Sequence, residues 1–183
     1  MTSEQVHWNK FAMLAYLVKH LGSTGRLGKK AIQKYFYLLQ DLKGISFGHN
    51  FCFYTYGPFS ASLAADIDIA SNFGIISVTY DEVENAYAIS AGEKLDHFIQ
   101  KGEQFLAENR SKIDDIIRNF GGKYAKDLEL LATLVFVLKN RKGRSINNSG
   151  FVEKARQLKP QFSEEKVRNA IQELLAKKYF KRG

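Results

Sequence analysis

The stretch FYTYGPFSASLAADIDIASNFGIISV, residues 53–78, constrains the fold more than any other part of the chain. It sets an aromatic strand, a Gly57-Pro58 corner, a small-residue helix and a β-branched run in immediate succession. Proline cannot continue a ladder and restricts the residue before it, so Gly57-Pro58 is expected to end the strand. Ser60 is placed as the N-cap, its hydroxyl accepting an orphan N–H of a helix that buries Leu63, Ala64, Ile67 and Ala70. Gly74 closes that helix. Two strands follow at 75–80 and 86–89, joined by the polar loop DEVEN.

Upstream, Val6, Phe11, Leu14, Leu17 and Leu21 recur with helical period, and Gly22-Ser23-Thr24-Gly25 ends the run. KKAIQKYFYLLQ repeats the period through Ile32, Tyr35, Phe36 and Leu39, predicting a second helix over about 29–42. Residues 51–56 are nearly all aromatic or β-branched and read as a strand buried on at least one face. Cys52 within it reads as a buried, inert thiol, and Phe51, Phe53, Tyr54 and Tyr56 read as core in preference to base-stacking groups. Helix, helix, strand, helix and hairpin is the order of a winged helix-turn-helix.

Downstream, Ser90-Ala91-Gly92-Glu93 has the form of a capping box. It opens an amphipathic segment whose stripe runs through Leu95, Ile99, Leu106, Ile113, Ile116 and Phe120. Gly102 and Asn109 interrupt the stripe, so one bent helix and two helices both remain open, with a restart at Ser111 as one option. The stripe serves its own core or a homodimer seam, and core packing is the simpler use. Gly121-Gly122 is the best boundary in the chain. Three more helical patterns follow at 127–139, 150–158 and 163–177. Gly57-Pro58-Phe59-Ser60 is echoed by Lys159-Pro160-Gln161-Phe162-Ser163, in each case a proline ahead of a Phe-Ser cap. The reading is a mainly α chain with small β-hairpin elements, arranged as tandem winged-helix-like trihelical modules. The first covers 1–90, a helical connector 91–120, and a second, basic module 121–183.

Charge gives the modules different characters. Over 183 residues the formal charge is +8. Residues 1–57 carry seven Lys/Arg and two Asp/Glu, residues 58–120 five and eleven, and residues 121–183 fifteen and six. An acidic middle thus separates two basic ends, a pattern that can mark an electrostatic partner. The third helix of the first module has no Lys or Arg and carries Asp66 and Asp68; the wing tip adds Asp81, Glu82 and Glu84. Carboxylates facing phosphates are repelled, so this module is a poor groove reader. In the second module Lys139, Arg141, Lys142 and Arg144 crowd one turn. Lys166, Arg168, Asn169 and Gln172 lie on its last helix, where cations suit phosphates and amides suit adenine.

Other chemistry is sparse. The four histidines have no partner at metal or triad spacing, and the single cysteine excludes an internal disulfide. No acid–base pair, nucleophile or metal set assembles from the sequence, which points away from an enzyme and from a cofactor. The N-terminus has no signal-peptide pattern and no apolar run is long enough for a bilayer, so the expected compartment is the cytoplasm, without membrane contact.

KKAIQKYFYLLQ followed by YTYGPFSASLAADI resembles the Lys-x-x-Gln-Lys helix and Gly-Pro corner of YwgA-like proteins. It is similar, more distantly, to the Panacea domain of SocA-type antitoxins. The resemblance rests on Lys30, Gln33, Lys34, Tyr37, Tyr56, Gly57, Pro58 and Ser60 and covers residues 29–76. It implies a compact helical fold with winged-helix-like parts. For Panacea relatives it implies toxin neutralisation by protein contact; for YwgA-like relatives it implies no settled activity. The basic C-terminal module departs from a minimal Panacea domain.

Two functions follow as expectations. The first is a non-enzymatic regulatory protein that contacts nucleic acid through Lys139, Arg141, Lys142, Arg144, Lys166, Arg168, Asn169 and Gln172. The alternative is an antitoxin-like domain that binds a protein such as a toxin through Asp66, Asp68, Asp81, Glu82 and Glu84.

Overall fold

In the computed structural model, residues 3–82, 85–139 and 148–180 are described, with side chains for all but 3–7, 148 and 149. The chain is mainly helical, with two small antiparallel two-stranded sheets. Helix α1 (Ser3–Leu21) runs into a 3₁₀ turn (Gly22–Thr24), and α2 (Lys29–Lys43) ends on the left-handed Gly44. A hairpin of β1 (Cys52–Tyr54) and β2 (Gly57–Phe59) leads into α3 (Ala61–Asn72). A second hairpin pairs β3 (Ile76–Asp81) with β4 (Ala86–Ala91). Helices α4 (Leu95–Lys101), α5 (Glu103–Phe120), α6 (Ala125–Lys139), α7 (Asn148–Leu158) and α8 (Glu164–Ala176) complete the described fold.

The expected caps form. The Ser60 hydroxyl accepts from the Leu63 N–H, and the Ser163 hydroxyl accepts from the Lys166 N–H. The Gly57-Pro58 corner differs from expectation. The two residues do not end the aromatic strand against a helix; they open the returning strand of a hairpin, with Tyr54 opposite Gly57 and Phe53 opposite Pro58. Paired residues of an antiparallel ladder alternate between bonded and non-bonded, so proline is tolerated where its missing N–H is not asked for. Gly57 has φ +84°, a conformation that a side chain would strain, and a Cβ there would lie 3.1 Å from Thr133 Oγ1.

A two-stranded ribbon can bury only one face, and this corrects the reading of Cys52 and its neighbours. Phe53 packs toward Phe136 with ring centroids 5.3 Å apart, whereas Cys52 and Tyr54 point to solvent. Cys52 is therefore exposed, not a buried thiol. The Ser90 capping box also does not form: Ser90 sits in β4 opposite Ser77, and α4 begins at Leu95 without a side-chain cap. The interrupted stripe resolves into two helices, divided at Gly102 and not at Ser111. Gly102 lies against α1, where an added Cβ would be 2.2 Å from the Ala12 Cβ.

One buried apolar cluster extends from Phe11 in α1 to Leu174 in α8 and includes Leu128, Leu131 and Leu134 of α6. Helix α6 packs on α2 and on the β2 strand, so the Gly121-Gly122 turn joins elements that share a core. The Leu95–Phe120 stripe is spent on that core: Leu106, Ile113, Ile116 and Phe120 are all buried. Among the described residues no helix is long and apolar enough to cross a membrane.

Candidate functional site

The residues of the Lys-x-x-Gln-Lys helix and the Gly-Pro corner meet in space. The Gln33 amide donates from Nε2 to the Ser60 carbonyl at 3.0 Å and its Oε1 accepts from the Ser60 N–H at 2.9 Å. Lys34 follows directly on the same helix, and Lys34 Nζ donates to the Pro58 carbonyl at 2.6 Å. From the opposite side Lys159 Nζ donates to the Thr55 carbonyl and to Glu129 Oε1, the latter at 2.6 Å. Gln161 Nε2 also donates to Glu129 Oε1, at 3.1 Å. Gln33, Lys34 and Lys159 are nearly inaccessible to solvent. Side chains thus satisfy the hairpin's inward backbone groups, which water would otherwise have to reach.

This fastening holds an aromatic ledge in the open. Tyr54 and Tyr56 are 63% and 50% exposed, against the usual fate of aromatic strand residues. Beneath them lies a groove of about 250 Å³. Tyr54, Tyr56, Gly57 and Phe59 form its hairpin side, Ala64 and Ile67 its α3 side, and Lys30 and Lys34 its α2 side. Lys30 Nζ stands 3.9 Å over the Tyr56 ring, and Lys29 Nζ pairs with Asp68 at 2.7 Å while lying 4.9 Å over Tyr87. Three lysines against one aspartate leave the lining with a formal excess of two positive charges. Burial pushes Lys34 down to about 8, with Glu129 pulling in the opposite direction.

The acidic set does not form one surface. Asp66 is buried, 6% exposed, and its Oδ1 receives Lys10 Nζ at 2.6 Å, which corrects its expected place on a partner-binding face. Asp68 is exposed but paired with Lys29. Asp81 and Glu82 are exposed at the end of the β3 strand, and Glu84 lies outside the described residues. The charge segregation along the chain is largely an internal matter: Lys10–Asp66, Lys19–Asp96, Lys29–Asp68 and Lys43–Asp115 each join the basic N-terminal segment to the acidic middle.

The basic set is similarly engaged where it is described. Lys139 Nζ pairs with Asp41 at 2.5 Å, Lys166 with Asp127 at 2.7 Å, and Arg168 with Glu164 at 2.6 Å. Helix α8 does turn Lys166, Asn169 and Gln172 to the exterior, as its apolar stripe of Val167, Ile171 and Leu174 requires. Arg141, Lys142 and Arg144 lie outside the described residues.

Sequence spacing missed one constellation. His49 Nδ1 and the Ser62 hydroxyl are hydrogen-bonded at 3.1 Å, and His49 Nε2 faces Asp66 Oδ2 at 3.6 Å. Serine, histidine and aspartate in that order resemble a hydrolytic triad, but the geometry disfavours it. The Nε2–Oδ2 separation exceeds hydrogen-bond reach, the carboxylate is already committed to Lys10, and Ser62 does not line the groove. Burial holds His49 below its ordinary pKa, with Asp66 opposing, so its neutral form is favoured. We read the cluster as fixing the start of α3, since Ser62 also bonds the capping Ser60 hydroxyl at 2.9 Å.

No protein-family model matches the chain, and a search of curated proteins finds no significant match.

Proposed function

We propose that the protein is a non-enzymatic binding module that docks a segment of a partner protein in the groove between α2, the β1–β2 hairpin and α3. The observation that carries this reading is the pair of exposed tyrosines held over an apolar slot by buried polar fastenings. Tyrosine supplies large contact area with little conformational freedom to lose, which is why it is enriched at interfaces. A rigid ledge adds to that by lowering the ordering cost of binding. The slot, about 250 Å³, falls below the ordinary range for small-molecule pockets of about 300–1,000 Å³. That size suits one apolar side chain of a protein better than a cofactor. The positive lining favours an acidic segment around that anchor.

The α1–α2–α3 order with its β3–β4 hairpin supports a winged-helix-like ancestry for the first module, used here for protein contact. Toxin neutralisation, implied by the Panacea resemblance, is one form such docking would take. The nucleic-acid reading has less support, because Lys139, Lys166 and Arg168, the described cations of the expected nucleic-acid face, each pair with a neighbouring carboxylate.

The test is selection of a random dodecapeptide phage library on the immobilised full chain, followed by affinity measurement on variants. Selected peptides should lose at least about tenfold in affinity on Tyr56→Ala and Tyr54→Ala, and be unchanged on Lys166→Glu/Arg168→Glu. Absence of any binder sensitive to the tyrosine changes would overturn the reading. So would tight, strongly salt-dependent binding of duplex DNA that disappears in Lys166→Glu/Arg168→Glu, which would move the function to the basic module.

A further inference from the structure

The ion balance beneath the hairpin is uneven. Lys34, Lys159 and Glu129 are all buried there, two cations against one anion. Glu129 is already taken: its Oε1 accepts from Lys159 Nζ at 2.6 Å and from Gln161 Nε2 at 3.1 Å. Lys34 has three protons to give and, among the described residues, one hydrogen-bond acceptor, the Pro58 carbonyl. A buried ammonium without a carboxylate partner is held at a cost, and an approaching anion relieves it. Lys34 also lines the groove, so the unmatched charge borders the space beneath the tyrosine ledge.

We propose that the segment docked in this groove carries a side-chain carboxylate next to its apolar anchor, and that the ammonium of Lys34 receives it. This rests on the groove being a docking site and goes further by naming what the partner must present. The apolar anchor sits against Ile67, Ala64 and Phe59, and the carboxylate turns toward α2. Lys30, one turn earlier on the same helix and exposed, adds a second positive charge at the mouth. A side-chain carboxylate fits better than a chain terminus. Terminal carboxylates are captured by nests of backbone N–H groups, whereas this hairpin turns the Thr55 and Pro58 carbonyls inward and offers a lysine as a point charge.

The arrangement has a pH consequence. The groups that face Lys34 are Glu129 from α6, Lys159 just after α7 and Lys30 on its own helix, with Lys29 of the same helix and Asp68 of α3 also lining the groove. Raising the pH through about 8 discharges Lys34 and removes the attraction, so affinity for an acidic segment falls there.

The probe is the tightest dodecapeptide from the selection whose binding requires Tyr56, compared with versions in which each Asp or Glu is changed to Asn or Gln. One such change should weaken binding to the wild-type protein by about tenfold or more and have no effect on Lys34→Met, a double-mutant cycle that isolates the pair. Affinity of the parent peptide should drop between about pH 7 and about pH 9.5, while that of the amide version stays level. Tyr56-dependent peptides that contain no acidic residue, or amide versions that bind equally well, overturn the carboxylate inference and leave docking intact. If no peptide depends on Tyr56, docking itself fails and this inference with it. Should Lys34→Met fail to fold, the amide comparison and the pH series on the wild-type protein still decide the matter.

Discussion

The Gln33 side chain stands in for a β-strand, bonding both backbone groups of Ser60 at 2.9 and 3.0 Å from 27 residues away. It joins the second helix to the N-cap of the third, and the hairpin leading into Ser60 is held in consequence. Ser60 is 1% exposed, so no water can replace the amide.

The first prediction follows from that. Gln33→Leu keeps the apolar volume but leaves a buried N–H and a buried C=O without partners, at about 1–3 kcal/mol each. Urea unfolding should show a loss of about 2–6 kcal/mol at unchanged m-value. Gln33→Glu, which retains the acceptor and alters the donor, should lose less when the carboxyl is protonated at low pH. Equal stability of Gln33→Leu and wild type would show that the bonds add nothing.

Lys159 and Glu129 tie the C-terminal half to the hairpin, since Lys159 also bonds the Thr55 carbonyl. Lys159→Ala leaves Glu129 buried with Gln161 as its remaining bond. Breaking a buried pair from one side costs about 3–5 kcal/mol, much more than removing an exposed pair. Arg168→Ala, which cuts the exposed bond to Glu164, should leave stability nearly unchanged. Thermal denaturation of the two variants side by side checks the contrast. A small effect of Lys159→Ala would mean that the half-chains are held by apolar packing alone.

Gly102 separates α4 from α5 because α1 crosses there, with the Ala12 Cβ occupying the place of a side chain. Both partners are core positions with little room to move: Ala12 is fully buried. Gly102→Ala should destabilise by about 1–3 kcal/mol despite the higher helix propensity of alanine. Recovery by the double change Gly102→Ala/Ala12→Gly would identify the clash as the cause. A more stable Gly102→Ala protein would instead mean that the break is imposed only by the glycine's own flexibility.

How far the fold could be read in advance depends on the range of the forces involved. Caps and periodicity act within a few residues, so Ser60, Ser163 and the apolar stripes of α2 and α8 were legible. Gly102 was legible as an interruption but not as a crossing, because its cause is Ala12, far away in the chain. The outward face of the β1–β2 hairpin was not legible. An aromatic run looks like core, and only the exposure of Cys52 and Tyr54 in the folded chain reveals the ledge. Charge was the least legible of all. Asp66 and Asp68 read as a repelling surface along the chain, yet in space they answer Lys10 and Lys29. Gln33 and Lys34 stood out through resemblance, with no local pattern to say that they reach Ser60 and Pro58.

The last prediction concerns His49, which sits among Ser62, Asp66 and Lys10 with its ring edge-on to Phe36. Burial lowers its pKa from the ordinary 6.5, and the Asp66 carboxylate only partly offsets this because Lys10 neutralises it. The folded state therefore takes up the proton later than the unfolded chain as pH falls. Unfolding then binds protons, and stability declines as pH drops below about 6.5, continuing until the folded-state pKa is passed. In His49→Gln, which keeps one bond to Ser62 and carries no charge, this part of the decline should disappear while the remaining acid sensitivity persists. Titration of the His49 ring Cε1 proton by NMR measures the shift directly. An apparent pKa at or above 6.5 would mean that Asp66 outweighs burial, and the sign of the pH dependence would then reverse, with protonation stabilising the start of α3.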